Sequence, residues 1–139
     1  MKFAVVDGQG GGIGRLIVEK LRQEFGQSCH IIALGTNAVA SSIMLRAGAN
    51  EGASGENAVV QSVKKVDLIV GSVAIIAANS YSGELTPLMA EAIASADALK
   101  LLIPLNRYGL EITGINDDPL PIQVDNLLGK IRRLNKEKN

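Results

Sequence analysis

The sequence is poor in the residues on which most metal and nucleophilic sites depend. It contains one cysteine, Cys29, and one histidine, His30, next to each other. A single cysteine excludes a disulfide within the chain and fits a reducing compartment, so we predict a cytoplasmic protein. These two residues are too few to form a metal site, and they do not form a nucleophilic thiol paired with a base. We expect no metal site, and we expect His30 to be a partly exposed structural residue.

The chain also lacks an excess of one charge and a long apolar run. Its 14 Lys and Arg residues match 14 Asp and Glu residues, whereas nucleic-acid-binding surfaces carry clustered positive charge. The uncharged, largely apolar stretch at residues 68–83 is shorter than the ~20 residues that a membrane helix needs. We therefore predict that neither nucleic acid nor a membrane is a partner.

The most distinctive stretch is the glycine-rich run of residues 7–14, Asp-Gly-Gln-Gly-Gly-Gly-Ile-Gly, in which five of the eight residues are glycine. The apolar residues 2–6 before it predict a short buried strand, and the residues after it show the apolar spacing of a helix. A strand, a tight turn and a helix N-terminus form the arrangement in which backbone amides hold a phosphate. The run therefore predicts a small nucleotide-type ligand.

Strand and helix patterns alternate along the rest of the chain. Further strands are predicted at residues 28–34, 49–51, 67–71 and 99–105, with a sixth edge strand at 110–115. Helices are predicted after Asn37, Glu56 and Thr86-Pro87, and from residue 121 to 135. The pattern predicts one α/β domain over residues 1–139: a three-layer, Rossmann-like fold. Its open, mainly parallel sheet has five or six strands in the order 3-2-1-4-5, with helices on both faces.

The spacing of the glycines narrows the type of turn. The strict dinucleotide fingerprint Gly-x-Gly-x-x-Gly fails, because counting from Gly8 places Ile13 where its third glycine belongs. Gly8, Gly12 and Gly14 instead fit Gly-x-x-x-Gly-x-Gly, which resembles the turn of the short-chain dehydrogenase/reductase family. The resemblance covers only the first strand and helix, and it implies NAD or NADP as the cofactor.

The remaining pattern of that family is absent. Neither Tyr81 nor Tyr108 is followed four residues later by lysine. Thr36 and Asn37 stand where an acidic residue would hold a ribose hydroxyl after the second strand. Both side chains can hydrogen-bond a ribose, but neither selects NAD over NADP.

The charges around the run complicate a phosphate site. Gln9 and Arg15 stand where a P-loop ATPase of the deviant type would have lysines, which disfavours that alternative. Asp7, at the mouth of the run, repels a pyrophosphate unless it turns away or a cation intervenes. We expect Asp7 to cap the following helix amides; a Mg²⁺ ligand is the alternative.

Ligands of open α/β sheets bind beyond the carboxyl ends of the strands. An asparagine follows each of the second to fifth predicted strands, and Arg107 is the best placed cation. Local turn and capping roles for the asparagines, and a surface ion pair for Arg107, are the alternatives. The predicted binding residues are Gly8, Gln9, Gly10, Gly11, Gly12, Ile13, Gly14, Thr36, Asn37, Glu56, Asn57, Asn79, Asn106 and Arg107.

Over nearly its full length the chain resembles a family of small, functionally uncharacterised bacterial proteins. The matching segments are residues 7–14, Ala-Leu-Gly-Thr-Asn at 33–37, Gly-Glu-Asn at 55–57 and Ile-Pro-Leu-Asn-Arg at 103–107. The resemblance implies a Rossmann-like fold and no particular chemistry.

Three functions follow from these patterns. The first is a nucleotide-binding protein with a sensing or regulatory role. The second is a small NAD(P)-dependent reductase, in which Tyr81 or Tyr108 would be the acid. The third is an interaction module without a ligand, which would self-associate through residues 72–85. We also predict a homo-oligomer.

Overall fold

In the computed structural model, which describes residues 1–138, five strands and five α-helices alternate along the chain. The strands are β1 (Lys2–Asp7), β2 (His30–Gly35), β3 (Glu51–Ser54), β4 (Leu68–Ser72) and β5 (Leu99–Ile103). The helices are α1 (Gly12–Phe25), α2 (Ala38–Arg46), α3 (Glu56–Ser62), α4 (Pro87–Ser95) and α5 (Leu120–Lys138). The strands form one sheet in the order β3-β2-β1-β4-β5, and every pairing is parallel. The predicted α/β class and strand order are confirmed, and the fold is consistent with a Rossmann-like domain.

The central strand β1 faces a helical layer on each side. Phe3 and Val5 pack in one buried cluster with residues of α1, α2 and α5. Ala4 and Val6 pack in a second cluster with residues of α3 and α4. Because successive side chains of a strand point to opposite faces, a strand buried on both sides reads as a continuous apolar run. The three predicted layers are therefore present.

The ends of three helices follow the signals in the sequence. Gly26 ends α1 with a φ of 55°, and glycine adopts a positive φ without steric cost. The side chain of Asn37 caps α2 by accepting from the amide of Ala40, at 2.9 Å. Thr86 caps α4, and Pro87 is its first residue. The capping rules thus identified these helix starts and stops correctly.

The predicted sixth strand at residues 110–115 is wrong. The segment consists of turns and irregular backbone, because the Asn106 side chain accepts from the amide of Ile112, at 3.0 Å. Tyr108, Gly109 and Gly114 also have positive φ angles, which turn the backbone away from an extended course. Two strand positions also differ, since β3 lies at Glu51–Ser54 rather than at residues 49–51, and β5 ends at Ile103.

The connection between β4 and α4 is packed inside the molecule. It contains a 3₁₀ turn at Val73–Ile76, and Ile75, Tyr81 and Leu85 are fully or almost fully buried. These side chains belong to the core on the α3–α4 face of the sheet. They are therefore not exposed as the self-association surface that we expected. Within residues 1–138, no helix has the length and apolar character needed to cross a bilayer.

Replacing Thr86 with alanine tests the cap of α4. The Thr86 hydroxyl oxygen accepts from the Met89 amide, at 3.2 Å, and the hydroxyl donates to Glu56 at the start of α3. Loss of an N-cap costs about 1 kcal/mol, so Thr86→Ala lowers the free energy of unfolding by about that amount in urea titrations. Thr113→Ala, in an exposed turn, is the control and leaves the unfolding midpoint unchanged. Equal midpoints for the two variants would contradict the capping role.

Candidate functional site

The glycine turn lies at the point where the strand order reverses. It connects the carboxyl end of β1 to α1, and β1 lies between β2 and β4. The connections that follow β2 and β4 run to opposite faces of the sheet. This divergence opens a crevice at the carboxyl ends of the strands. The sheet topology therefore places the glycine run where open α/β sheets bind ligands.

Asp7 closes the base of the turn. Its carboxylate is buried; one oxygen accepts from the amide of Gly8, at 2.8 Å, and the other accepts from the amide of Gly14, at 2.7 Å. Gly14 lies in the first turn of α1, so Asp7 performs the predicted capping role from the end of β1. Burial raises the pKa of Asp7, while these amides and the charge of Arg107 oppose that rise.

Three of the five glycines of the turn are required by the structure. A Cβ on Gly8 would lie 2.9 Å from the ring of Tyr81, and a Cβ on Gly14 would lie 3.0 Å from the Cβ of Asp7. Gly11 has a φ of 74°, and a Cβ there would lie 2.8 Å from the Cα of Ala40. Close packing and backbone conformation explain these three residues without a ligand.

Gly10 and Gly12 have no such explanation. A Cβ on either residue would meet no atom within 4 Å, and neither has a positive φ. Their amides also have no hydrogen-bond partner within the described chain, whereas the amides of Gly8, Gln9, Gly11 and Gly14 are all engaged. The turn therefore presents two free donors on an unobstructed surface.

These two glycines line a cavity of about 280 Å³ at the mouth of the turn. Three loops, each following one of the strands β1, β4 and β5, contribute to its wall. The lining residues are residues 7–13, Tyr81, Arg107, Tyr108 and Leu120.

Arg107 is the cation of this cavity. Its residue is exposed, and its guanidinium makes no ion pair with any carboxylate of residues 1–138. The surface ion pair that we considered as its alternative role is therefore not formed within this part of the chain. Its charge acts instead on the buried carboxylate of Asp7.

Tyr81 and Tyr108 stack beside the turn. Their ring centroids are 4.9 Å apart, with the ring planes tilted by 45°. The buried Tyr81 hydroxyl is 3.0 Å from the hydroxyl of Ser72, and the Tyr108 hydroxyl donates to the Gln9 side chain, at 2.8 Å. Burial, followed by the charge of Asp7, raises the pKa of Tyr81 well above its usual range, and burial also raises the pKa of Tyr108. Neither phenol is set up to give up a proton near neutral pH.

The loops of the site hold unusual backbone conformations. Within residues 1–138, every residue other than glycine that has a positive φ lies in one of the three loops that line the cavity. They are Gln9, Asn79, Tyr81, Ser82 and Tyr108. Such conformations cost energy and persist where the surrounding structure enforces them, which is common at binding sites.

Glu84 lies at this surface but is absent from the predicted binding residues; the sequence suggested it only as a candidate proton-transfer group. One of its carboxylate oxygens accepts from the amide of Gln9, at 2.8 Å, from the hydroxyl of Thr36, at 2.6 Å, and from the amide group of Asn37, at 2.8 Å. Burial disfavours its charged form, but these three hydrogen bonds outweigh burial and lower the pKa of Glu84. It thus brings a carboxylate to the end of β2, where the sequence has none. No local pattern could have shown this, since Glu84 is 48 residues from Thr36 along the chain.

The other predicted binding residues lie outside the cavity wall. Asn37, Asn79 and Asn106 serve a helix cap, a left-handed turn and a loop contact, respectively. Local roles of this kind were the alternative for the asparagines. His30 lies at the start of β2, partly exposed and 2.6 Å from Glu51, as expected of a structural residue. The predicted residues that do not line the cavity are Gly14, Thr36, Asn37, Glu56, Asn57, Asn79 and Asn106.

Adjacent glycines allow a matched test of these assignments. Gly11→Ala places a Cβ against Ala40 in a left-handed conformation, so it should lower the free energy of unfolding by about 2 kcal/mol or more. Gly12→Ala places its Cβ in open space, so it should stay within about 0.5 kcal/mol of the wild type. Urea titrations measure both values. A large loss for Gly12→Ala would show that Gly12 has a structural role after all.

The lowered pKa of Glu84 predicts a pH dependence of stability. A carboxylate whose pKa is lower in the folded state stabilises the protein fully when the pH is above its ordinary, unfolded-state pKa of 4.5. This contribution is lost as the pH falls through the folded-state pKa. Glu84→Gln should therefore lose less stability than the wild type on acidification below that value, in urea titrations at a series of pH values. Asp7, whose pKa shifts in the opposite direction, is present in both proteins and cancels in the comparison. Parallel losses in the two proteins would contradict the role of the Glu84 charge.

Comparison with known proteins identifies a family without an assigned activity. A family model described as a domain of unknown function (DUF3842) matches residues 2–136. No curated protein matches the chain. The family match spans nearly all of the sequence, in agreement with the resemblance to uncharacterised proteins seen in the motifs. The chain therefore belongs to the DUF3842 family.

Proposed function

We propose that this protein binds a small nucleotide-type ligand, with a phosphate group at the glycine turn, in a sensing or regulatory role. The observation that carries the proposal is the pair Gly10 and Gly12. Both residues line the cavity, both amides are free, and neither packing nor backbone conformation requires glycine there. A ligand that approaches the backbone closely is a physical reason for a glycine in such a place.

The charges of the cavity favour an anion of low charge. The free amides, the N-terminus of α1 and the Arg107 guanidinium all attract an anion. The buried carboxylate of Asp7 opposes it, although the amides of Gly8 and Gly14 cover that carboxylate. One cation against one carboxylate supports a single phosphate group better than a pyrophosphate.

The size of the cavity also favours a small ligand. Its volume of about 280 Å³ is at the lower end of the range of roughly 300–1,000 Å³ for small-molecule sites. This space suits a phosphate and an adjoining ring, as in a mononucleotide. The exposed ring of Tyr108 offers a surface on which a base can stack. NAD or NADP would have to extend from the cavity along the carboxyl edge of the sheet.

For a dinucleotide, Glu84 supports NAD over NADP. Three donors hold one oxygen of its carboxylate beside Thr36 and Asn37, at the end of β2. A carboxylate there accepts from the hydroxyls of a ribose and repels a 2′-phosphate. The sequence directly after β2 has no acidic residue to select NAD over NADP, and Glu84 would take its place.

No observation favours the reductase alternative. The Tyr81 hydroxyl is buried against Ser72, and the Tyr108 hydroxyl is engaged with Gln9. Catalysis by a phenol requires a hydroxyl that reaches the substrate and a pKa near the working pH. We therefore propose binding without a reaction.

A thermal-shift panel tests the proposal. NAD(H), NADP(H), ATP, AMP, flavins and S-adenosylmethionine are each added, and a ligand that binds the folded state raises the melting temperature. We expect AMP or another phosphate-bearing member to do so, and NAD to exceed NADP. No shift across the panel would refute nucleotide binding.

Two variants then locate the site with the ligand that the panel identifies. Gly12→Val fills the open space above the turn and should abolish the shift in a folded protein. Arg107→Gln should weaken binding roughly tenfold or more, because hydrogen bonds to charged groups contribute more than neutral ones. Asn57→Ala, on an exposed residue outside the cavity wall, is the control and keeps wild-type affinity. Unchanged affinity in folded Gly12→Val would remove the glycine turn from the site.

A further inference from the structure

The two edges of the sheet differ in character. The β3 edge, Glu51–Ser54, is short and polar, which is a common protection against pairing with another chain. The β5 edge, Leu99–Ile103, is Leu-Lys-Leu-Leu-Ile, with Leu99 48% exposed. Within residues 1–138, no strand lies beside its outer side. An apolar strand with an open edge is a template for pairing with a further strand.

The backbone groups of this edge can be assigned from its pairing with β4. The amide of Leu99 donates to the carbonyl of Asp67, which precedes β4. Backbone groups of a strand alternate between its two sides, so those of Lys100 and Leu102 point outward. Neither residue has a backbone hydrogen-bond partner on that side within the described chain. Pro104, at the next outward position, has no donor and ends the edge.

The surroundings leave the edge accessible. A cavity of about 650 Å³ lies between β5, the loop near residues 114–118 and α5. Exposed apolar side chains occur on all three of these segments, at Leu99, Ile115 and Ile122. Because residues 110–115 do not form a sixth strand, they do not pair with the outer side of β5.

We propose that β5 pairs with β5 of a second copy of this chain, antiparallel about a two-fold axis at Leu101. In this register Lys100 lies opposite Leu102 of the partner subunit. Their outward amides and carbonyls then form two mutual hydrogen bonds, and the symmetry generates two more. All the free groups of Lys100 and Leu102 are satisfied in both copies, and the two sheets become one continuous sheet.

The side chains also favour a second copy over an acidic or basic peptide. The two-fold axis places Leu101 against Leu101 of the partner subunit, and Leu99 against the partner's Ile103, so apolar residues meet apolar residues. The only charge on the strand, Lys100, donates to the carbonyl of Ala96 in its own chain. With 14 basic and 14 acidic residues, two copies have no net charge with which to repel each other. This surface differs from residues 72–85, where we first expected self-association.

Cysteine cross-linking tests the symmetry of the pairing. In a non-hydrogen-bonded antiparallel pair the Cα atoms are about 4.5 Å apart, which permits a disulfide. Leu101→Cys should therefore give a covalent dimer on mild oxidation. Leu99→Cys is the matched control on the same face of the same strand: it is more exposed, but its copies would lie roughly 13 Å apart. The wild type, whose Cys29 is buried, is the blank.

Sedimentation velocity provides the second measurement. The wild type should sediment as a dimer, and Lys100→Pro should sediment as a folded monomer, because proline removes an outward amide and leaves the pairing with β4 intact. Lys100→Thr keeps that amide and should remain a dimer. Amide hydrogen exchange of the wild type checks the edge without a substitution, since the Lys100 and Leu102 amides should be protected. A monomeric wild type, a dimeric Lys100→Pro variant, unprotected edge amides, or cross-linking of Leu99→Cys as readily as Leu101→Cys would each overturn the proposal.

Discussion

The buried carboxylate of Asp7 is the interaction on which the site depends. It accepts from the amide of Gly8 on one side of the turn and from the amide of Gly14 on the other, so it fixes the turn to the end of β1 and caps α1. A buried carboxylate is costly unless its oxygens are hydrogen-bonded, and the turn meets that requirement. Glu84 and the carbonyl of Gly8 accept from the amides of Gln9 and Gly11. Only Gly10 and Gly12 keep free amides and free space.

The loops around the turn complete this arrangement. Tyr81 packs against Gly8 and requires it to be glycine, while Glu84 binds Gln9, Thr36 and Asn37 in one set of hydrogen bonds. The β4–α4 connection therefore supplies both the packing of the turn and the acidic group at the end of β2. Arg107, from the loop after β5, adds the positive charge. The surface that results presents two free backbone donors and one guanidinium.

The α/β class and the helix caps could be read from the sequence, because both rest on local patterns. Alternating apolar runs and amphipathic segments indicate a parallel sheet between helical layers, and Asn37 and Thr86 signal helix starts through side chains that bond amides a few residues away. The prediction of a sixth strand was wrong because residues 110–115 have an apolar pattern but are held in a loop by Asn106. The prediction that residues 72–85 form a self-association surface was wrong for a similar reason. The exposure of a segment depends on which other elements pack against it.

The sequence by itself determined that this chain is an α/β domain with a glycine turn between its first strand and helix, because these features depend on neighbours in the chain. Only the tertiary structure decided which glycines are free for a ligand, since Gly8, Gly11 and Gly14 are constrained by Tyr81, Ala40 and Asp7. Only the tertiary structure could also place Glu84 at the end of β2. A carboxylate 48 residues away reaches Thr36 through folding alone, and no period or spacing in a sequence records a contact of that kind.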